Sequence, residues 1–206
     1  YRLAKEKVRE AGLEKQIEVR LCDYRQVGGA YDRIVSIEML EAVGHKYFGK
    51  FFEVCEQRLK PDGIVVLQAI TIPDQRYEAH RRTPDWMQKH IFPGGLLPSL
   101  QALADASTEH SQFVVEHVEN IGPHYETTLK EWRKRFIASK DKIFSLGLDE
   151  TFFRKWIYYF SYSEAAFASR YLNDLQIVLT RPRNRILTDR RSEADHHKTT
   201  SRGHSL

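Results

Sequence analysis

No apolar run in this chain approaches the roughly 20 residues needed to cross a bilayer. The first residues, YRLAKEKVREAG, form an amphipathic helix and lack the apolar core and cleavage site of a signal peptide. Only two cysteines are present, Cys22 and Cys55. They make neither a disulfide framework nor a ligand spacing, and are expected reduced and buried in a cytoplasmic protein. The histidines, among them His45, His80, His90, His110, His117 and His124, show no metal-ligand pattern, so no metal is expected. Surplus charge is absent from the body of the chain. The net +4 resides in residues 181–206, which hold seven Arg or Lys against three Asp or Glu. That removes the basic stripe a nucleic-acid partner would want. Also missing is a glycine-rich strand-to-helix loop: Gly28-Gly29 is short and no helix follows it. The chain is therefore expected to begin inside its fold.

What is present suits one globular domain, expected over 1–183. Hydrophobic residues make up 41% and aromatics 12% of the 206 residues, enough for a sizeable core. Leu3, Ala4, Val8 and Ala11 recur at helical spacing, and Gly12 can cap that helix. Ile17, Val19 and Leu21 alternate as a strand that ends at Asp23. Ile34, Val35 and Ile37 form a more continuously apolar strand, as buried parallel strands do. Tyr47, Phe48, Phe51, Phe52, Cys55 and Leu59 mark the buried face of the next helix, and Pro61-Asp62-Gly63 turns into a strand over 64–70. This order predicts an α/β fold with a Rossmann-like sheet.

After Ile72 the rhythm breaks. Residues 73–98 carry four prolines and the pair Gly94-Gly95 among large apolar groups. That composition predicts an ordered lid or substrate insertion, taken as 73–110, rather than a linker. A helix is expected from Ser99, a strand over 113–121, a helix through Leu129, Trp132 and Phe136, and an aromatic-rich helix over 152–170. A last strand, 174–180, is expected antiparallel to its neighbour. Residues 184–206 are polar and aperiodic, a disordered basic tail that is either merely solvated or drawn to anionic lipid.

Several residues can carry chemistry, each with a plainer reading beside it. Asp23-Tyr24 follows a strand's carboxyl end, where open α/β sheets place ligands. An Asp there can accept from an adenine amino group, or simply begin a turn. Glu38 and Glu41 can share one face of a helical turn, or sit there because a helix N-terminus favours carboxylates. Gln68 and Ile70, two apart on a strand, point to the same mouth; a Gln there is also an ordinary polar cap. The helix holding Trp156, Tyr158, Tyr159, Phe160, Tyr162 and Phe167 is mostly core or the wall of an apolar cavity.

The segments DYR (23–25), YDRIVSIEMLEAVG (31–44), LKPDG (59–63), IFPGGLLPS (91–99), GPHYETTLKEW (122–132) and YYFSYSEAAF (158–167) stand in an order that resembles one family. These are the cyclopropane-fatty-acyl-phospholipid synthases and mycolic-acid cyclopropane synthases, S-adenosylmethionine-dependent class I methyltransferases. IFPGG and HYETTL make the resemblance specific. It implies a partial methyltransferase sheet, S-adenosylmethionine as cofactor and a bicarbonate ion as bound base. It implies adenine-side contacts at Asp23 and Tyr24, with Ile37 at the strand end beside them. Glu41, the Ile70 backbone and Tyr125 match the groups that hold bicarbonate. Gln68 stands where a bicarbonate-binding histidine is usual, and Ser163 where a cysteine often occurs. Phe92, Tyr158, Tyr159 and Phe160 are the implied substrate pocket.

The implied substrate is an unsaturated phospholipid met at a membrane surface, with the enzyme peripheral to it; a homo-oligomer stays open. A cis alkene is a poor nucleophile, so the methyl must be held in line with it, and aromatic faces can stabilise the resulting cation. Loss of a proton then closes a ring or leaves a branch. The family's glycine-rich loop lies upstream of the segment matching Tyr1, so the chain is expected to be a partial sequence, inactive alone and with an unpaired sheet edge. Two rivals remain: a small-molecule methyltransferase of the same lineage, and an inactive lipid-binding module.

Overall fold

The computed structural model describes residues 1–184. Its sheet has four strands, β1 (Tyr31–Ile37), β2 (Leu59–Thr71), β3 (Val114–Asn120) and β4 (Asn173–Thr180), in the spatial order β1-β2-β4-β3. β1 and β2 are parallel, joined by α2 (Phe48–Arg58), while β4 runs antiparallel to both β2 and β3. The predicted antiparallel last strand is therefore observed. The strand expected over 17–21 is not: those residues form no strand, and Leu21 is 82% exposed. Alternation marks a strand only where a neighbour takes its backbone hydrogen bonds, and this segment pairs with none of the four. The preceding helix, α1 (Arg2–Glu10), buries no residue.

Helices cover both faces of the sheet. Alternation along β2 sends Val65, Leu67 and Ala69 to one face, where they join Leu175, Ile177 and Leu179 of β4 under α2 and α5 (Leu100–His110). Phe48, Phe51, Phe52 and Cys55 of α2 complete that core. On the opposite face, α6 (Gly122–Ala138) packs against α8 (Glu150–Ala168) around Leu129, Phe160 and Phe167, with Ile70 of β2 beneath. A short helix, α7 (Lys140–Ser145), links them. α6 and α8 do not reach over β1. Val35 and Ile37, expected buried, are therefore each 63% exposed on that face, and β1 is an edge strand.

The segment after β2 forms short helices. It contains α3 (Asp74–Arg82) and α4 (Trp86–His90), the latter opened by a capping box between Asp85 and Gln88. Gln88 Nε2 donates to the Gly95 carbonyl at 2.7 Å, and Leu96 N–H to the Glu41 carbonyl at 2.7 Å. The IFPGG turn is thus tied to the stretch that follows β1; Gly94 there sits at φ 81, a region glycine enters without steric cost. Of the predicted tail, all but Asn184 lies outside the described residues.

Candidate active site

The carboxyl ends of β1 and β2 and the amino end of β4 meet at one point. β1 ends at Ile37, and Glu38 follows at φ 51, uncommon for a residue with a side chain and found where surroundings hold it. Its N–H donates to the Gln68 carbonyl at 2.8 Å, which fixes the turn. A short 3₁₀ turn, Leu40–Ala42, then presents Glu41, whose Oε1 accepts the Ile70 N–H at 2.6 Å. The β2–β4 register sets Ile70 opposite Asp174 and Gln68 opposite Gln176. Residues opposite one another share a face, so Asp174 joins the same mouth. Gln68 Nε2 donates to Glu38 Oε1 at 3.0 Å and to Asp174 Oδ2 at 3.2 Å; Gln176 Nε2 donates to Gln68 Oε1 at 3.0 Å.

α6 delivers the last member. A Cβ on Gly122 would come within 2.9 Å of the Asp174 backbone nitrogen, so glycine is what allows the first turn of α6 to press on β4. One turn later the Tyr125 hydroxyl donates to Glu38 Oε1 at 2.7 Å, and its ring stacks on Phe167 at 5.0 Å. Tyr125 is held well above the ordinary phenol range, by burial first and then by its bond to Glu38. It is therefore a donor at neutral pH.

Three carboxylates crowd this mouth, and burial penalises the charge of two, Glu41 and Asp174. Burial raises Glu41, opposed by the backbone hydrogen bonds it accepts. Asp174, 0% exposed, is pushed up to about 7 by burial, then by the charges of Glu38 and Glu41. Glu41 Oε2 and Asp174 Oδ1 are buried acceptors with no partner among the described residues. The Asp174 shift sets a pH dependence of stability. From its ordinary value of 3.8 up to about 7, the folded chain keeps a proton that the unfolded chain releases. This contribution is complete below 3.8 and is lost as pH rises through 7. Linkage puts the full loss at about 4 kcal/mol. Urea midpoints should thus fall between mildly acidic and mildly alkaline buffer, and Asp174→Asn should flatten the trend; equal slopes in both proteins would remove Asp174 as its source.

Beside the carboxylates opens a cavity of about 1060 Å³. Ile70, Ile72, Leu96, Leu97, Leu129 and Leu172 give it apolar walls, and Glu38, Glu41 and Tyr125 face into it. Of the residues singled out in the sequence, Glu41, Ile70, Tyr125, Ser163, Phe92 and Tyr159 line it. Gln68 lies behind Glu38, bonded to it. Ile37 pairs with Gln68 across β1–β2 at the cavity's edge, outside its lining. Phe160 is not in the wall either: it is 6% exposed in the α6–α8 core, its ring 5.4 Å from that of Phe136. Tyr158, 48% exposed, packs on Trp86 outside the cavity.

Asp23 and Tyr24 are not brought to the cavity. Asp23 caps a 3₁₀ turn, Tyr24–Gln26, and binds the Arg25 guanidinium at 2.6 Å, which holds its carboxyl down at about 2. Tyr24 rests on Phe51, ring centres 5.9 Å apart. One member of the site, Asp174, was not singled out in the sequence; Glu38 was, beside Glu41, though not as the acceptor for Tyr125 and Gln68. The sequence held a signal for Asp174: antiparallel pairing of 174–180 with 64–70 brings its first residue to the end of the other strand.

Comparison with known proteins places this arrangement. Residues 1–177 match the family described as mycolic acid cyclopropane synthetase. The chain is 47% identical over 180 residues to tuberculostearic acid methyltransferase UfaA1 of Mycobacterium tuberculosis, covering 87% of the chain and 42% of that protein. It is 37% identical over 165 residues to the cyclopropane-fatty-acyl-phospholipid synthase of Escherichia coli K12, covering 80% of the chain and 41% of the relative. The chain thus spans about two fifths of these curated relatives. Among solved structures, mycolic acid cyclopropane synthase CmaA1 complexed with SAH and CTAB superposes with a TM-score of 0.72 at 26% identity, over 82% of this chain and 64% of that one.

Proposed function

Because this chain belongs to the mycolic acid cyclopropane synthetase family, we propose that its cavity holds S-adenosylmethionine against an unsaturated acyl chain and directs a one-carbon unit onto the cis double bond. The fold is that of class I methyltransferases, and the family is one of S-adenosylmethionine-dependent lipid methyltransferases. The substrate, product and membrane encounter are our reading. The observation that carries it is a cavity of about 1060 Å³ with mostly apolar walls, lined by the carboxylates Glu38 and Glu41 and, from the segment after β2, by the polar groups of Arg76, His80 and Asp85. Small-ligand pockets run to roughly 300–1,000 Å³, so this one has room for a hydrocarbon chain beside a methyl donor.

The acidic point fits the donor's cationic end. Glu41 Oε2 and Asp174 Oδ1 are buried acceptors that lack partners among the described residues, and a positive centre compensates such groups. When bound, S-adenosylmethionine supplies a methyl group activated by positive sulfur. The chain's own residues do the rest. The apolar walls exclude water and align the acyl chain. The ring faces of Tyr159 and Phe167, both in the lining, stabilise positive charge on the alkene carbons. Carboxylates nearby offset that charge and receive a proton.

Bicarbonate does not fit this site as it stands. Two donors that the resemblance assigns to the ion, the Ile70 N–H and the Tyr125 hydroxyl, are bonded to Glu41 and Glu38. The phospholipid is met, in this reading, at the membrane surface through the 73–98 segment, where Phe92 is 52% exposed. Among the described residues no helix is long and apolar enough to cross a membrane.

The test is transfer of labelled methyl from S-adenosylmethionine into unsaturated phospholipid vesicles. It compares this chain with a version extended upstream through a glycine-rich loop. Label in extracted acyl chains supports the reading, and product mass separates ring from branch. Label in neither folded protein sinks it and favours a small-molecule substrate or an inactive lipid-binding module.

A further inference from the structure

We infer that the Glu38 carboxylate itself fills the anion place at this mouth, so that the chain takes up the reaction's proton on its own side chain and has no use for bicarbonate. This rests on the alkene-methylating reading above. Glu38 Oε1 accepts two hydrogen bonds, from Tyr125 at 2.7 Å and Gln68 at 3.0 Å, in the way a small oxyanion would. Its backbone lies at φ 51 with its N–H bonded to the Gln68 carbonyl, so the side chain is anchored from both ends. Gln68 and Glu38 belong together. A glutamine holds a neighbouring carboxylate by donating to it, and needs no proton exchange of its own.

Of the three carboxylates, Glu38 is the most exposed. Glu41 is half-buried with one oxygen on the Ile70 N–H at 2.6 Å, and Asp174 is 0% exposed. Glu38 is exposed to the cavity and lines it. In the step assigned to it, a C–H bond of the methylated, cationic acyl chain breaks. The electron pair of that bond forms the ring-closing C–C bond or a double bond, and the proton binds a Glu38 oxygen to give the neutral acid. Substrate and side chain together conserve charge, and no further reactant enters.

The test separates anion binding from turnover. Glycine suits φ 51, so Glu38→Gly should fold as well as the parent while freeing Tyr125 and Gln68. In a calorimetric and NMR titration with isotope-labelled bicarbonate, the parent should show no saturable binding. Glu38→Gly should bind at least about tenfold more tightly than the parent, because charge-assisted hydrogen bonds become available. Adding Tyr125→Phe should abolish the gain. Saturable binding by the parent, or no gain in Glu38→Gly, overturns the inference. In the methyl-transfer assay, run on the upstream-extended protein and its variants, the parent's rate should ignore removal of bicarbonate. Glu38→Gln should fall by about 100-fold or more without rescue, since its amide still fills the place. Glu38→Gly should regain turnover with added bicarbonate. A parent that transfers only with bicarbonate overturns the inference. Should no protein transfer label while the titration behaves as stated, the lipid reading fails and the assignment of the anion place to Glu38 stands.

Discussion

On the proposed reaction, Glu41→Gln in the upstream-extended protein should lower methyl transfer by about 100-fold or more while leaving affinity for S-adenosylmethionine within a few-fold. The glutamine carbonyl can still accept the Ile70 N–H that Glu41 takes at 2.6 Å, so the turn after β1 should keep its shape. What disappears is negative charge on an oxygen that is buried and, among the described residues, without a partner. As positive charge moves onto the acyl chain, a fixed carboxylate in a water-poor cavity is worth far more than an amide dipole. Single-turnover rates and calorimetric affinities on the same protein separate the two effects. Equal losses in both would make Glu41 a binding group and nothing more.

Removing the ring of Phe160 should cost the most stability, about 3–5 kcal/mol for Phe160→Ala. At this chain length that lowers the melting temperature by roughly 10 °C. Phe160 is 6% exposed and packs against Phe136, Trp156 and Tyr159 with ring centres 5.4, 5.7 and 5.2 Å away. Tyr158, one residue earlier, is 48% exposed and packs on Trp86 at 4.5 Å. Tyr158→Ala should therefore cost no more than about 1.5 kcal/mol. Paired thermal melts decide it, and similar losses would show that the α6–α8 interface does not depend on this ring.

The same two residues show how far the sequence could be read. The run YYFSYSEAAF announces a buried aromatic helix but names no face. Helical spacing does: Tyr159, Ser163 and Phe167 lie four apart and all line the cavity, while Phe160 turns toward α6. Apolar periodicity likewise located β2, β4, α2 and α8, because each buries a side that only apolar residues can occupy. It misled at 17–21, where alternation was real but no strand lay alongside. The α7 turn, KDKIFS, escaped because one buried residue, Ile143, leaves no period to detect. Glu41 and Ile70 were legible from their places at strand ends, Tyr125 only through a family resemblance, and the structure gathers all three at one cavity. Asp174 needed the strand register, a relation between distant segments that local pattern does not contain.

The cavity is walled from two sources. Its acidic groups sit at strand ends, where backbone register holds them, and most of its apolar wall comes from the 73–98 segment, α6 and α8. Strand ends cannot shift without disturbing the strand pairing and the core under α2 and α5, whereas wall side chains change volume at local cost. On the proposed function, substitution of the wall residues would reshape the space for an acyl chain while the carboxylates at the strand ends stay in place. Fit to substrate and placement of charge would then rest on separate parts of the fold.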